Sequence, residues 1–173
     1  MRFLILFLTT IFMTQLEAKN MVDNSDWTYF ADTVMGGVST GTASIQNLPK
    51  GRAIHLKGNV STKNNGGFIQ VRTNVEEGLT KNSEGVSLMV KGNEDTYFIH
   101  LRVSGSFVPW HYYQQKFYAP NQWTEIKLPF SNFKRSSRML RKSLDITKIT
   151  TLGVVAYGKD YEAEIWIKSL DFY

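Results

Sequence analysis

The sequence predicts an all-β domain, an antiparallel β-sandwich of the jelly-roll type. Three observations predict it. Apolar residues recur at every second position in run after run, the period at which one face of a strand meets a core. Between the runs stand Gly, Asn, Asp and Ser, the residues that turns require. No stretch keeps the helical period over several turns. Eight or more such strands in a chain of single-domain length fit a sandwich or jelly roll.

Taken in order, the chain opens on a predicted targeting segment. Arg2 supplies a positive start, Phe3 to Met13 is apolar apart from Thr9 and Thr10, and Ala18 offers a small residue for cleavage before Lys19. This reads as a secretory signal peptide over residues 1–18, with export to a bacterial periplasm or the cell exterior. The apolar run is shorter than the roughly 20 residues that span a bilayer. Removing residues 1–18 from the 173 leaves 155, the size of one domain. The chain has no cysteine, so thiol chemistry, disulfides and cysteine–metal sites are excluded.

The next stretch, Asp32-Thr33-Val34-Met35-Gly36-Gly37-Val38-Ser39, holds too many special residues for an ordinary loop. Asp32 and Ser39 are expected to bond nearby backbone and hold a tight turn. Gly36 and Gly37 permit positive φ or close backbone approach. Val34 and Met35, being apolar, are expected to tuck inward. A second glycine-rich stretch, Asn64-Asn65-Gly66-Gly67-Phe68, is expected to pack against the first at one end of the domain.

Strands are predicted at 41–46, 53–60, 68–74, 86–90, 97–103, 123–128, 152–157 and 162–168. In most of them the alternation names the core face: Ile54, Leu56 and Val60; Ile69 and Val71; Val86, Leu88 and Val90; Tyr97, Ile99 and Leu101; Ala163, Ile165 and Ile167. The run 152–157 is almost wholly apolar and is expected to be buried on both faces. Short helical turns are expected near 131–133 and 144–148.

Little in the sequence points to catalysis. Gly37-Val38-Ser39-Thr40-Gly41 matches the G-x-S-x-G nucleophile elbow, but a strand pattern follows it where the elbow needs a helix. His55, His100 and His111 lack metal-ligand spacing and are expected on the surface or in loops. No two of Asp26, Asp32, Glu125 and Asp145 are paired by the pattern for glycoside hydrolysis. The expectation is no catalytic residue, no metal and no cofactor.

The formal net charge is +5. Much of it sits in Lys134, Arg135, Arg138, Arg141 and Lys142, with no acid among them. A solvated loop is the plainer reading, and contact with an anionic membrane surface the functional one. No recognition motif accompanies the charge, so nucleic acid is not an expected partner. If the strands at 68–74 and 97–103 share a sheet, its outer face carries Gln70, Arg72, Phe98, His100 and Arg102, rimmed by Trp110. Aromatics beside planar cations suit a ligand or a partner surface.

The residues in sequence order resemble a known family. Asp32, Val34-Met35-Gly36-Gly37 and Ser39 are followed by Asn65-Gly66-Gly67-Phe68 and Val71-Arg72. Then come Tyr113-Gln114 with Phe117, Trp123, Leu128-Pro129-Phe130 with Phe133, and Leu152-Gly153. This series resembles the complex I intermediate-associated protein 30 family from about Trp27 to Phe172. The resemblance implies a galactose-binding-like β-sandwich and assistance in assembling respiratory complex I; the glycine motifs are read from their residues as structural. The resemblance carries over no catalytic residue. The expected function is a non-enzymatic binding or assembly-assisting module for a protein partner at the membrane. The alternative is a carbohydrate-binding module of the cell envelope.

Overall fold

The computed structural model describes residues 20–76, 80–106 and 108–173. The predicted signal peptide lies outside them. Eleven strands form two antiparallel sheets facing each other. In chain order they are β1 (Thr28–Ala31), β2 (Thr40–Asn47), β3 (Arg52–Val60), β4 (Phe68–Asn74), β5 (Gly85–Gly92) and β6 (Asp95–Val103). There follow β7 (Tyr113–Ala119), β8 (Thr124–Pro129), β9 (Lys134–Arg135), β10 (Ile149–Tyr157) and β11 (Tyr161–Phe172). The six-stranded sheet runs β1-β4-β10-β6-β7-β9 and the five-stranded sheet β2-β3-β11-β5-β8.

The core lies between the sheets. Ile69, Val71, Ile99, Leu101, Leu152 and Val154 meet Ile54, Leu56, Val86, Leu88, Ile165 and Ile167, each no more than 1% exposed. Burying a side chain of this size stabilises by roughly 1.5–3 kcal/mol, so the alternation that names the core face also fixes the register. Tyr97 is buried with them and satisfies its hydroxyl across the layers, donating to Asn93 Oδ1 at 2.6 Å and accepting from Glu164 N at 2.8 Å. A short helix α1 (Met21–Asn24), capped by Asn20, buries Met21 and Val22 beside β11. Among the described residues no helix is long and apolar enough to cross a membrane.

All eight predicted strands are present. Three more were not predicted: β1 and β9 are very short, and β7 carries the polar run Gln114-Gln115-Lys116. The expected turns are 3-10 turns at Phe130–Asn132 and Ile146–Lys148. Trp123 stands just before its strand and is 40% exposed. Of the histidines expected on the surface or in loops, His111 is in a loop, though buried there, and His55 stands buried on β3. His55 stacks on Trp166 at 3.7 Å and meets Glu164 Oε1 at 2.9 Å, while His111 contacts Ser106 Oγ at 3.1 Å. An aromatic neighbour covers the one and a short loop folds over the other, neither of which alternation registers.

The two glycine stretches pack together around one carboxylate. Asp32 opens a 3-10 turn, Asp32–Met35, that ends on Gly36 at φ +87°. Its side chain is fully buried. It accepts hydrogen bonds from Ser39 N at 2.9 Å, Gly67 N at 2.6 Å, Phe68 N at 3.2 Å and the Ser39 hydroxyl. Ser39 Oγ accepts in turn from Ser61 N at 2.9 Å. Burial alone would push this carboxyl up; the hydrogen bonds outweigh it and hold the group below the ordinary carboxylate range. Glycine is needed here for space. A Cβ on Gly37 would lie 2.3 Å from Asp32 Cγ, and one on Gly66 would lie 2.4 Å from Asp32 Oδ2. Ser39 is 1% exposed and leads into β2, so it is not the exposed serine of a nucleophile elbow.

Val34 and Met35 do not tuck inward. They are 70% and 55% exposed. Asp32 occupies the interior of this turn, which leaves the two apolar residues at its tip. The cationic segment is also less free than a solvated loop. Arg135 donates to Leu140 O at 2.7 Å and to Arg138 O at 3.2 Å, and Leu140 is buried. Arg135 therefore braces the loop, leaving Lys134, Arg138, Arg141 and Lys142 exposed.

Candidate functional site

The outer face of the six-stranded sheet carries a groove of about 610 Å³. Its position follows from register. Strands β4 and β6 lie on either side of β10, so side chains of matching parity stand in rows across the sheet. One row is Arg72, Gly153, His100 and Gln114; the next is Gln70, Val155 and Phe98. The same register carries on to Thr151 opposite Arg102, and only beyond it does a β-bulge at Thr150 bring Ile149 opposite Val103. Gly153, without a side chain, leaves the centre of the floor low.

Two loops make the rims. On one side stand Val34 and Met35 of the Asp32 turn, with Asn65 and Gly66. Asn64 and Asn65 are both left-handed, at φ +57° and +59°, a conformation asparagine tolerates better than most residues. On the other side stand Pro109, Trp110 and Tyr112. Trp110 is 62% exposed, and its carbonyl accepts from Ser136 Oγ at 2.8 Å. Ser136 Oγ also accepts from Tyr112 N at 3.0 Å.

The polar groups in the groove are incompletely matched. The Arg72 guanidinium lies over the Phe30 ring at 4.3 Å. Burial, and then the charge of Arg102, lower its pKa from the ordinary arginine value. Among the described residues no carboxylate lies within ion-pair distance of either arginine. His100 stacks on Tyr112 at 3.9 Å, and burial pushes its pKa down to about 3. It is therefore neutral across the physiological range. Among the described residues, His100 Nε2 and Thr151 Oγ1 are buried and have no hydrogen-bond partner. Buried polar atoms are rarely left so, and the exceptions call for an explanation.

Of the residues singled out from the sequence, Arg72, His100, Arg102 and Trp110 line this groove, as do Met35, Asn65, Gly66 and Phe68. Phe98 lies beside it, edge-on to Tyr157 at 5.7 Å. Asp32, Gly37, Ser39 and Gly67 stand behind the rim in the buried corner, with Gly36 exposed at the end of the Asp32 turn. The sequence reading missed Phe30, Thr151, Gly153, Val155 and Tyr157 as groove residues. The apolar run 152–157 read as buried on both faces; residues 152–156 are, with their outer side the groove floor, while Tyr157 is 37% exposed. Among the described residues no group of three His, Asp or Glu side chains could hold a metal ion.

The sequence pattern of the Complex I intermediate-associated protein 30 family matches residues 14–165 of this chain. No curated protein sequence matches it. Among solved structures, the chain is similar to family 11 carbohydrate-binding modules from Clostridium thermocellum. One of these, in complex with a β-1,3-1,4-mixed-linked tetrasaccharide, gives a TM-score of 0.69 at 14% identity over 95% of this chain and 92% of that one. Another, from the cellulosomal cellulase Lic26A-Cel5E, gives 0.70 at 15% identity over 92% and 95%. A family 30 carbohydrate-binding module gives 0.56 at 9% identity over 76% and 73%. At these identities the likeness establishes the jelly-roll sandwich fold alone.

Proposed function

The chain belongs to the complex I intermediate-associated protein 30 family, and from that premise we propose that it is a non-catalytic module that binds a glycan chain in the groove of the six-stranded sheet. The observation that carries this reading is the pairing of the exposed Trp110 with Gln70, Arg72, His100 and Arg102 in one groove. A sugar ring has an apolar face and an equator of hydroxyls. The first stacks on an aromatic side chain; the second is met by planar amide, guanidinium and imidazole groups. The carbohydrate-binding modules of the same fold support the class of ligand.

Retention on immobilised glycans tests it. Native affinity electrophoresis should retard the protein in at least one envelope or wall polysaccharide, and Trp110→Ala should abolish the retardation without changing the melting temperature. Retardation by no glycan, or equal retardation of the Trp110 variant, would sink the reading.

A second reading keeps the groove and changes the guest: an assembly-assisting role toward a protein partner. The family description favours it, as do the exposed apolar tips Val34 and Met35. Co-purification of one envelope protein, lost on Met35→Asp, separates it from the first. Export is proposed from the predicted signal peptide over residues 1–18, and intact-mass measurement of protein from the producing cell should show loss of about the first 18 residues. For Lys134, Arg138, Arg141 and Lys142, a membrane role requires binding to acidic but not neutral vesicles, weakened by salt.

A further inference from the structure

We propose that the guest in the groove is acidic: a glycan bearing an oxyanion, carboxylate or sulfate, seated above Gly153 between Arg72 and Arg102. This rests on the glycan reading above and narrows it to a substrate class.

The seat is built by register. Arg72 stands opposite Gly153, and Arg102 stands opposite Thr151, two residues along the same strand. The two arginines thus come from strands on opposite sides of β10 and flank its Gly153–Thr151 segment. Position 153 itself contributes no side chain, and Val155 and Gln70 border the space. A Cβ there would meet first the Gln70 amide oxygen at 3.1 Å. Arg72 and Arg102 are close enough for each other's charge to be felt, and the described residues offer neither an ion-pair partner. Two like charges on one floor, partly withdrawn from water, repel each other, and no neutral sugar relieves that. An oxyanion does, and it suits the guanidinium fork, which donates two parallel N–H bonds to a carboxylate or sulfate. Thr151 Oγ1, buried beside the seat and unpartnered, is a further donor. His100 stays neutral and adds no competing charge.

Calorimetric titration with short oligosaccharides at physiological salt tests the proposal. The panel holds uronate and sulfated oligosaccharides, each beside its carboxyl-reduced or desulfated counterpart, together with neutral β-glucan oligosaccharides. At least one acidic member should bind at least about tenfold more tightly than its neutral counterpart, and whether that member is uronate or sulfated identifies the anion. Arg72→Gln and Arg102→Gln should each remove the preference, and Arg72→Lys should restore part of it. Gly153→Val keeps both charges but fills the seat, and should remove the preference as well; it serves if an arginine variant fails to fold. Lys57→Gln and Lys91→Gln, which make the same charge change on the other sheet, should leave the preference intact. Equal affinity for acidic and neutral partners overturns the acidic guest and leaves the glycan reading standing. Binding to neutral members only does the same. A preference that follows the lysine variants reduces it to net charge and overturns the seat. Binding to no member of the panel removes both.

Discussion

The Asp32 corner and the groove lie side by side and treat buried polarity in opposite ways. At the corner a fully buried carboxylate receives donors from Ser39, Gly67 and Phe68, and glycines stand where any side chain would displace it. In the groove two arginines lack ion-pair partners among the described residues, and His100 Nε2 and Thr151 Oγ1 are buried without hydrogen bonds. A completed network holds a fold together. An incomplete one, reached from solvent, is what a ligand completes. Both regions are rich in special residues, and what tells them apart is that the buried Asp32 charge has its donors while the arginine charges of the groove have no carboxylate among the described residues.

The difference can be broken at its strongest point first. Asp32→Ala strands several buried donors and should cost roughly 3–5 kcal/mol in urea denaturation. A variant within about 1 kcal/mol of the parent would erase the distinction between the regions. Gly37→Ala and Gly66→Ala each press a methyl onto the Asp32 carboxyl and should cost about 2–4 kcal/mol. Because the folded Asp32 pKa is depressed, its stabilisation is present above the unfolded value of 3.8 and is lost as pH falls through the folded value. The acid limb below about pH 4 should therefore be shallower in Asp32→Ala than in the parent.

His100 gives a smaller and separate pH effect. Its folded pKa of about 3 keeps it neutral in the native state, while the unfolded chain protonates near 6.5. Stability is full above that pH and drains as pH falls toward 3, at up to about 1.4 kcal/mol per unit. Asp171, pushed up to about 6 by burial, acts in the opposite sense: its contribution is present below 3.8 and is lost as pH rises through 6. His100→Gln should flatten the first trend and expose the second in melting curves between pH 4 and 7. An unchanged profile would mean that the imidazole is not desolvated. The smallest expected effect on stability is that of Trp110→Ala, within about 0.5 kcal/mol of the parent despite complete loss of glycan retention.

The sandwich was legible because its strands are long enough for period two to show. Ile69-Gln70-Val71-Arg72 and Ile99-His100-Leu101-Arg102 state their faces outright, so the arginine-bearing surface could be named without coordinates. What stayed hidden was decided across the chain. Val34 and Met35 read as core because they are apolar, but the interior of their turn belongs to Asp32. Thr151 shares the outward parity of Gly153 and Val155, but the apolar run that named this strand began only at Leu152 and left it out. His55 is buried by Trp166, a neighbour from β11 more than a hundred positions away.

The two rims of the groove are mounted differently, and that has a mechanical consequence. The Val34–Met35 wall is bolted through the buried Asp32 to the segment at Gly67–Phe68, while the Trp110 wall is held to Ser136 by exposed side-chain bonds and one backbone bond, Ser136 N to Tyr112 O at 2.8 Å. The groove is a vice with one fixed jaw. A guest of larger girth cannot push back the first wall without undoing a buried anion's coordination, so accommodation falls to the second. The Trp110 wall is joined to the segment carrying Ser136, between Lys134 and Arg138, so the groove's yielding side and the cationic border share one mounting.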